Sequence, residues 1–216
     1  MPAVFVTGGT GFMGRNLIME LVRRGYVVKA LVRHGSEHKL PHGCQAVPGD
    51  ALDKSSFAPQ ISPAETFVQL VGVTHPNPAK KDEFRTVDLG SARAAIEAAR
   101  SGGITHFIYV SVAQPAPVMK FYVAVRAEAE QLIRESGLNA TILRPWYVLG
   151  PGRRWPLFLK PMYWLMERIP STRESAQRLG LVTIKQMVST LVRSVESPAQ
   201  GIRILGVPEI RGKSHG

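Results

Sequence analysis

The sequence predicts an α/β fold: a doubly wound parallel sheet with helices on both faces and a small C-terminal lobe. Three observations carry this. Strand-like and helix-like segments alternate almost from end to end. The strand candidates are unbroken apolar runs, as expected of strands covered on both faces. The first strand runs into a turn with glycines at Gly8, Gly11 and Gly14, and an amphipathic helix follows.

Val4 to Gly14 reads V-F-V-T-G-G-T-G-F-M-G. Ala3–Thr7 is the first strand. Met13, Leu17, Ile18, Leu21 and Val22 recur at helical spacing and set a helix over 14–24. Val27–Val32 and Gln45–Val47 are the second and third strands, and a short turn around Asp53–Phe57 leads to the fourth, Thr66–Leu70. Helices over Phe84–Ser101 and Met119–Ser136 end at Gly102 and Gly137, which suit helix C-termini. Strands His106–Ser111 and Ala140–Leu143 follow them, giving an expected order 3-2-1-4-5-6. After Pro145 the texture changes. Trp146 to Ile169 is rich in aromatic residues, proline and methionine, including Trp155, Phe158, Tyr163 and Trp164. A strand over Leu181–Ile184, a helix over Lys185–Val195 and a strand over Arg203–Gly206 complete the pattern. Residues 1–216 are expected to form one domain, with 146–183 and 207–216 as the lobe that covers a substrate.

With 216 residues, 44% of them hydrophobic, the chain buries one substantial core. Its net charge of +11 is spread, with pairs at Arg23–Arg24, Lys80–Lys81 and Arg153–Arg154. No nucleic-acid motif or polybasic tail accompanies it, so nucleic acid is not an expected partner. The charge reads either as a basic solvated surface or as attraction to anionic ligands or an anionic membrane face. The single cysteine, Cys44, rules out an internal disulfide framework. His34, His38, His42, His75, His106 and His215 lack metal-ligand spacing, so no metal is expected. Met1–Phe5 enters the first strand directly, and no apolar run spans a bilayer. The expectation is a cytoplasmic protein, with peripheral membrane attachment or a protein partner as an alternative; oligomeric state stays open.

The glycine turn points to a dinucleotide. A helix N-terminus following such a turn presents backbone N–H groups to a pyrophosphate. Gly8 permits the tight turn, Gly11 lets backbone approach the phosphates, and Gly14 lets the helix pack close to the strand.

The T-G-G-T-G-F-M-G turn, the L-V-R ending of the second strand, G-D after the third and T-I-L-R-P near residue 145 occur in order. Together they resemble the atypical and extended short-chain dehydrogenase/reductase superfamily, near its epimerase/dehydratase and NmrA-like branches. The resemblance implies a Rossmann-type domain whose cradle is Gly8, Thr10, Gly11, Phe12, Met13 and Gly14. It implies that Asp50 and the Ala51 N–H meet adenine, that Leu70, Val71 and Gly72 lie against ribose, and that Pro145, Trp146 and Val148 meet the nicotinamide carboxamide. Asp50 also reads as a turn-forming or capping residue. The second strand ends Leu31-Val32-Arg33, with no acid until Glu37. An NAD site usually carries an acid there, whereas Arg33, assisted by Arg15, pairs with a 2′-phosphate. The expected cofactor is therefore NADP rather than NAD. The competing reading makes Arg33 a surface charge.

In the superfamily the usual chemistry uses a Tyr four residues before a Lys, with a Ser or Thr after the fifth strand. Here Tyr122 is followed by Arg126, and Ser111 ends the fifth strand while Val112 occupies the usual hydroxyl position. Positions i and i+4 share a helix face, so a cation beside the phenol lowers its pKa and suits it to acid/base work. The expected catalytic set is Tyr122, Arg126 and Ser111, with Tyr122 and Arg126 also touching the cofactor. Arg126 reads equally as a surface ion pair with Glu130. Ser111 serves only after a local shift; the competing reading is a bond to strand-end backbone.

The segment from Arg153 to Ile169 has three readings: a cover for an apolar substrate, closure of the core or a dimer interface, or an interfacial helix. Such a short cover leaves little room for a sugar nucleotide. The leading expectation is an NADP(H)-dependent oxidoreductase acting on a small apolar carbonyl or enone compound. The alternative is a non-catalytic dinucleotide-binding sensor or accessory subunit, similar to NmrA-like regulators or the subunit of this superfamily in respiratory complex I.

Overall fold

A computed structural model describes residues 1–73, 76–151 and 178–212. Seven parallel strands form the main sheet in the order β3-β2-β1-β4-β5-β6-β9. They are β1 (Ala3–Thr7), β2 (Val27–Val32), β3 (Gln45–Pro48), β4 (Thr66–Gln69), β5 (His106–Val110), β6 (Ala140–Leu143) and β9 (Ile202–Leu205). The first six stand in the expected order, and the final strand adds a seventh at the β6 edge. A separate parallel pair joins β7 (Tyr147–Leu149) to β8 (Leu181–Thr183).

Alternation along the strands divides the core into two layers. In β1, Phe5 points to one face while Val4 and Val6 point to the other. The Phe5 face is covered by α2 (Gly90–Ser101) and α3 (Lys120–Glu135). The register aligns Phe5 with Phe67 and Phe67 with Phe107, so three rings run across the sheet at centroid separations of 5.1 and 5.3 Å. The opposite face is covered by α1 (Phe12–Arg23) and α4 (Ile184–Glu196), through Leu17, Ile18, Leu21, Met187, Leu191 and Val195. A capping box starts α4: the Gln186 N–H donates to Thr183 Oγ1 at 3.2 Å, and the Thr183 N–H donates to Gln186 Oε1 at 2.8 Å. A last short helix, α5 (Val207–Ile210), follows β9.

Several elements differ from expectation. The first helix starts at Phe12, two residues early, because Gly11 serves as its N-cap in extended conformation. The expected helix over 84–101 is not uniform. One α turn, Lys81–Glu83, leads into π winding over Phe84–Leu89, and only then into α2. The wider winding turns Phe84, Asp88 and Leu89 all inward. The turn around Asp53–Phe57 is two 3-10 segments, Lys54–Ser56 and Ala58–Gln60. β7 lies where only a cover segment was expected. The run containing Trp155, Phe158, Tyr163 and Trp164 lies outside the described residues, as do His75 and His215.

His106 is fully buried at the start of β5, its Nε2 3.0 Å from Thr141 Oγ1 on β6. Burial, reinforced by the charge of Arg203, pulls its pKa down to about 4, so it is neutral in the folded protein near neutral pH.

Candidate functional site

The site lies beyond the C-terminal ends of β1, β4, β5 and β6, where open α/β sheets bind ligands at the point of strand-order reversal. Between β1 and β4 that crevice is pinned by a polar relay. The Thr7 hydroxyl donates to Gln69 Oε1, Gln69 Nε2 donates to Ser91 Oγ at 3.0 Å, and the Leu70 N–H approaches Thr7 Oγ1 at 3.4 Å. Sequence reasoning missed this relay. Its only signal was a glutamine inside an otherwise apolar strand.

The glycine turn is tight for reasons specific to each glycine. Gly8 adopts φ +70, and a Cβ there would lie 2.9 Å from the Leu70 carbonyl carbon. A Cβ on Gly14 would lie 2.7 Å from Gly9 Cα. Gly11 differs: it is exposed, and an added Cβ would meet only the Gly8 carbonyl oxygen, at 3.2 Å. The backbone around Gly11 thus has room inside the fold, and the crevice side is open. No acidic residue lies in the first turn of α1, so the positive end of that helix stays uncompensated. These features fit the pyrophosphate of a dinucleotide. Thr10 and Met13 are half-buried beside the turn, while the Phe12 ring fills the space a side chain at Gly150 would take.

Arg15, at the start of α1, and Arg33, just after β2, are both exposed. Asp50 is exposed after β3 and accepts the Leu52 N–H at 2.9 Å, so one carboxylate oxygen shapes its own turn; Ala51 is half-buried behind it. Leu70, Val71 and Gly72 leave β4 half-buried. Pro145 is buried after β6, and the Trp146 ring sits edge-on to Tyr147 at 5.5 Å, with Val148 half-buried beyond.

The largest departure concerns Arg126. It does not pair with Glu130. Its guanidinium turns inward, bonding Asp88, the Tyr109 hydroxyl at 3.1 Å and the Val110 carbonyl at 3.0 Å. Its side chain is 7% exposed and that of Asp88 is 0% exposed, so this is a buried ion pair. Asp88 also accepts the Val73 N–H at 3.1 Å. Burial pushes the Asp88 carboxyl upward, against the opposing pull of Arg126 and the Val73 N–H. Burial disfavours the Arg126 charge too, but Tyr109, Tyr122 and Asp88 outweigh it and hold the guanidinium protonated. Tyr109, wholly buried, is pushed up to about 12 and stays a neutral phenol. The space a Gly72 side chain would need is taken by Arg126, with Asp88 Oδ1 3.1 Å from the Cβ position. That close approach explains why residue 72 is glycine.

Tyr122 stands half-buried in the first turn of α3, its ring against Phe84 at 4.9 Å and beneath the Arg126 guanidinium at 5.3 Å. The i, i+4 spacing therefore does bring the cation to the phenol ring. Ser111 is buried, but its hydroxyl has no partner among the described residues, so the expected backbone bond is not made. Val112 is buried beside it. Among the described residues no cluster of metal-ligating side chains occurs, and no helix is long and apolar enough to cross a membrane. A concavity of about 250 Å³ between α2 and α3, lined by Arg93, Ile96, Arg100 and Leu132 among others, shares no residue with this site.

A family described as NAD(P)H-binding matches residues 8–153. A ceramide reductase from Caulobacter vibrioides is 27% identical over 201 residues, covering 92% of this chain and 62% of the relative. A photosystem II assembly factor from Cyanophora paradoxa is 28% identical over 149 residues, covering 66% of this chain and 44% of the relative. The chain thus spans less than two thirds of the length of these curated relatives. Among solved structures, the Bordetella bronchiseptica enzyme WbmH in complex with NAD+ superposes with a TM-score of 0.71 at 17% identity, covering 97% of this chain and 78% of that one. That likeness is one of fold.

Proposed function

Since the chain belongs to the NAD(P)H-binding family, we propose that it is an NADP(H)-dependent reductase of a small, largely apolar carbonyl or enone compound. The observation that carries the proposal is the placement of Tyr122. Its ring lies under a permanently charged Arg126, at the same end of the sheet as the glycine turn. Gly8, Gly11, Gly14 and the start of α1 hold the pyrophosphate in this reading. Arg33 and Arg15 hold the 2′-phosphate, and Asp50 with the Ala51 N–H holds adenine. Leu70 to Gly72 and Pro145 to Val148 flank the nicotinamide half.

When bound, the nicotinamide supplies or accepts hydride. Tyr122 moves the proton, donating from its hydroxyl to the carbonyl oxygen during reduction. Ser111, whose hydroxyl has no partner among the described residues, is the second donor at that end of the sheet. The apolar character rests on the buried Phe84 ring packed against Tyr122 at 4.9 Å. A relative named ceramide reductase agrees with it. The test is a screen of carbonyl compounds for NADPH oxidation. Tyr122→Phe is expected to lower turnover by about 100-fold or more while leaving cofactor binding intact; full activity in that variant would remove Tyr122 from the mechanism.

One observation favours a second reading, a non-catalytic dinucleotide-binding accessory protein. Asp88 compensates the charge that Arg126 would otherwise lend to the phenol. A relative named as an assembly factor fits it. Tight NADPH binding without turnover of any carbonyl, together with co-purification of a protein or membrane fraction, would favour it.

A further inference from the structure

We propose that Glu130 is a positioning residue that clamps the two loops enclosing the nicotinamide half of the cofactor, a role that rests on the dinucleotide reading above. Glu130 lies on α3 and is wholly buried. Its carboxylate accepts four hydrogen bonds. Oε1 takes Gln114 Nε2 at 2.7 Å and Arg144 Nε at 3.0 Å; Oε2 takes Arg144 Nη2 at 2.6 Å and Arg134 Nη2 at 3.2 Å.

The partners come from different places in the chain. Gln114 lies in the loop leaving β5, three residues past Ser111. Arg144 ends the run of β6 and directly precedes Pro145 and Trp146. The two loops also bond each other, through the Ala113 N–H to the Pro145 carbonyl at 2.9 Å. One turn earlier on the same helix, Arg126 grips the Val110 carbonyl at the end of β5.

Charge neutralisation does not need all of these bonds. Arg144 alone satisfies the carboxylate with a two-pronged contact. Gln114 brings no charge, only a fixed direction, and what it fixes is a loop at the ligand end of the sheet. In a doubly wound sheet the dinucleotide lies across the strand-order switch. The adenine half then belongs to the β2 and β3 side, and the nicotinamide half to the loops after β4, β5 and β6. The clamp acts on the second half alone.

This makes a prediction that a merely structural role does not. Gln114→Ala removes the side-chain tether of that loop and leaves the Arg144 pair and the Ala113–Pro145 backbone bond in place; Glu130→Gln weakens both side-chain contacts. Calorimetric titration compares NADPH and NADH with their adenine halves, 2′-phospho-AMP and AMP. The expected result is that both variants bind the better full cofactor about tenfold more weakly, the equivalent of one hydrogen bond to a charged group, with affinity for its adenine half unchanged. Should Glu130→Gln fail to fold, Gln114→Ala carries the test. Wild-type affinity in Gln114→Ala overturns the clamp. So does equal weakening of full cofactor and adenine half, or a wild type that binds the full cofactor no better than its adenine half. If the wild type binds none of the four ligands, the dinucleotide reading itself falls, and the clamp with it.

Discussion

Replacing Arg126 by methionine removes the guanidinium from the interior while keeping a side chain of similar length. The Asp88 carboxylate then stays wholly buried with the Val73 N–H as its remaining described partner, and the Tyr109 hydroxyl and Val110 carbonyl lose a donor. Breaking a buried pair from one side costs about 3–5 kcal/mol. A domain of ordinary stability has roughly 5–15 kcal/mol in total, so the variant loses a large share of it and unfolds at much lower urea. Pairing the change with Asp88→Asn removes the stranded charge. The double variant is expected to recover about 2–3 kcal/mol relative to the sum of the single variants. The pH dependence supplies a second arm. Burial already raises the Asp88 carboxyl, and without Arg126 the chief opposing charge is gone. A carboxyl with a raised folded pKa binds more protons folded than unfolded, so its penalty is absent below the unfolded pKa and grows as pH rises through the folded value. The deficit of Arg126→Met relative to the wild type therefore shrinks as pH falls. Urea unfolding followed by far-UV circular dichroism at several pH values measures both arms. A cost below about 1 kcal/mol, the range of exposed pairs, or strictly additive single variants would refute the buried pair.

Two further outcomes follow from named residues. His106, neutral and depressed to about 4 by burial, binds fewer protons folded than unfolded. Its contribution is present above pH 6.5 and is lost as pH falls toward 4, about 3 kcal/mol in all. His106→Phe should flatten that part of the stability profile, and an unchanged acid limb would contradict the assignment. Arg33→Glu should weaken NADPH by about tenfold or more through lost charge pairing and added repulsion. NADH binding should hold or improve, and an unchanged NADPH-to-NADH ratio would make Arg33 a surface charge.

The fold was legible because its signals are local. The apolar runs, helical spacing and helix-ending glycines place most strands and helices within two residues of their observed bounds. The glycine turn was legible for the same reason, since strand, turn and helix occupy one stretch of chain. The polar interior was not. Spacing along the helix offers Arg126 the Tyr122 phenol at i−4 or Glu130 at i+4, whereas its ion-pair partner Asp88 lies 38 residues upstream. A signal existed: Asp88 shares a helical face with Ser91, Ala92, Ala95 and Ala99, all buried. An acid on such a face needs a buried cation. Glu130 carried the same hint beside Ala129 and Ile133. Identifying which cation each acid meets depends on how helices cross the sheet, which spacing along the chain does not report. The π winding over Phe84–Leu89 shifts that register further.

The central claim, a dinucleotide held at the glycine turn, is tested most directly at Gly11. That glycine is exposed, and an alanine there displaces only the Gly8 carbonyl by a few tenths of an ångström. In the proposed bound state the same methyl group would meet the pyrophosphate. Calorimetric titration of NADPH into the wild type and Gly11→Ala, with melting temperatures recorded for both, separates the two effects. The account predicts saturable binding by the wild type, and a loss of about tenfold or more in the variant at a nearly unchanged melting temperature. Equal NADPH affinity in the two proteins, or none in the wild type, would contradict it.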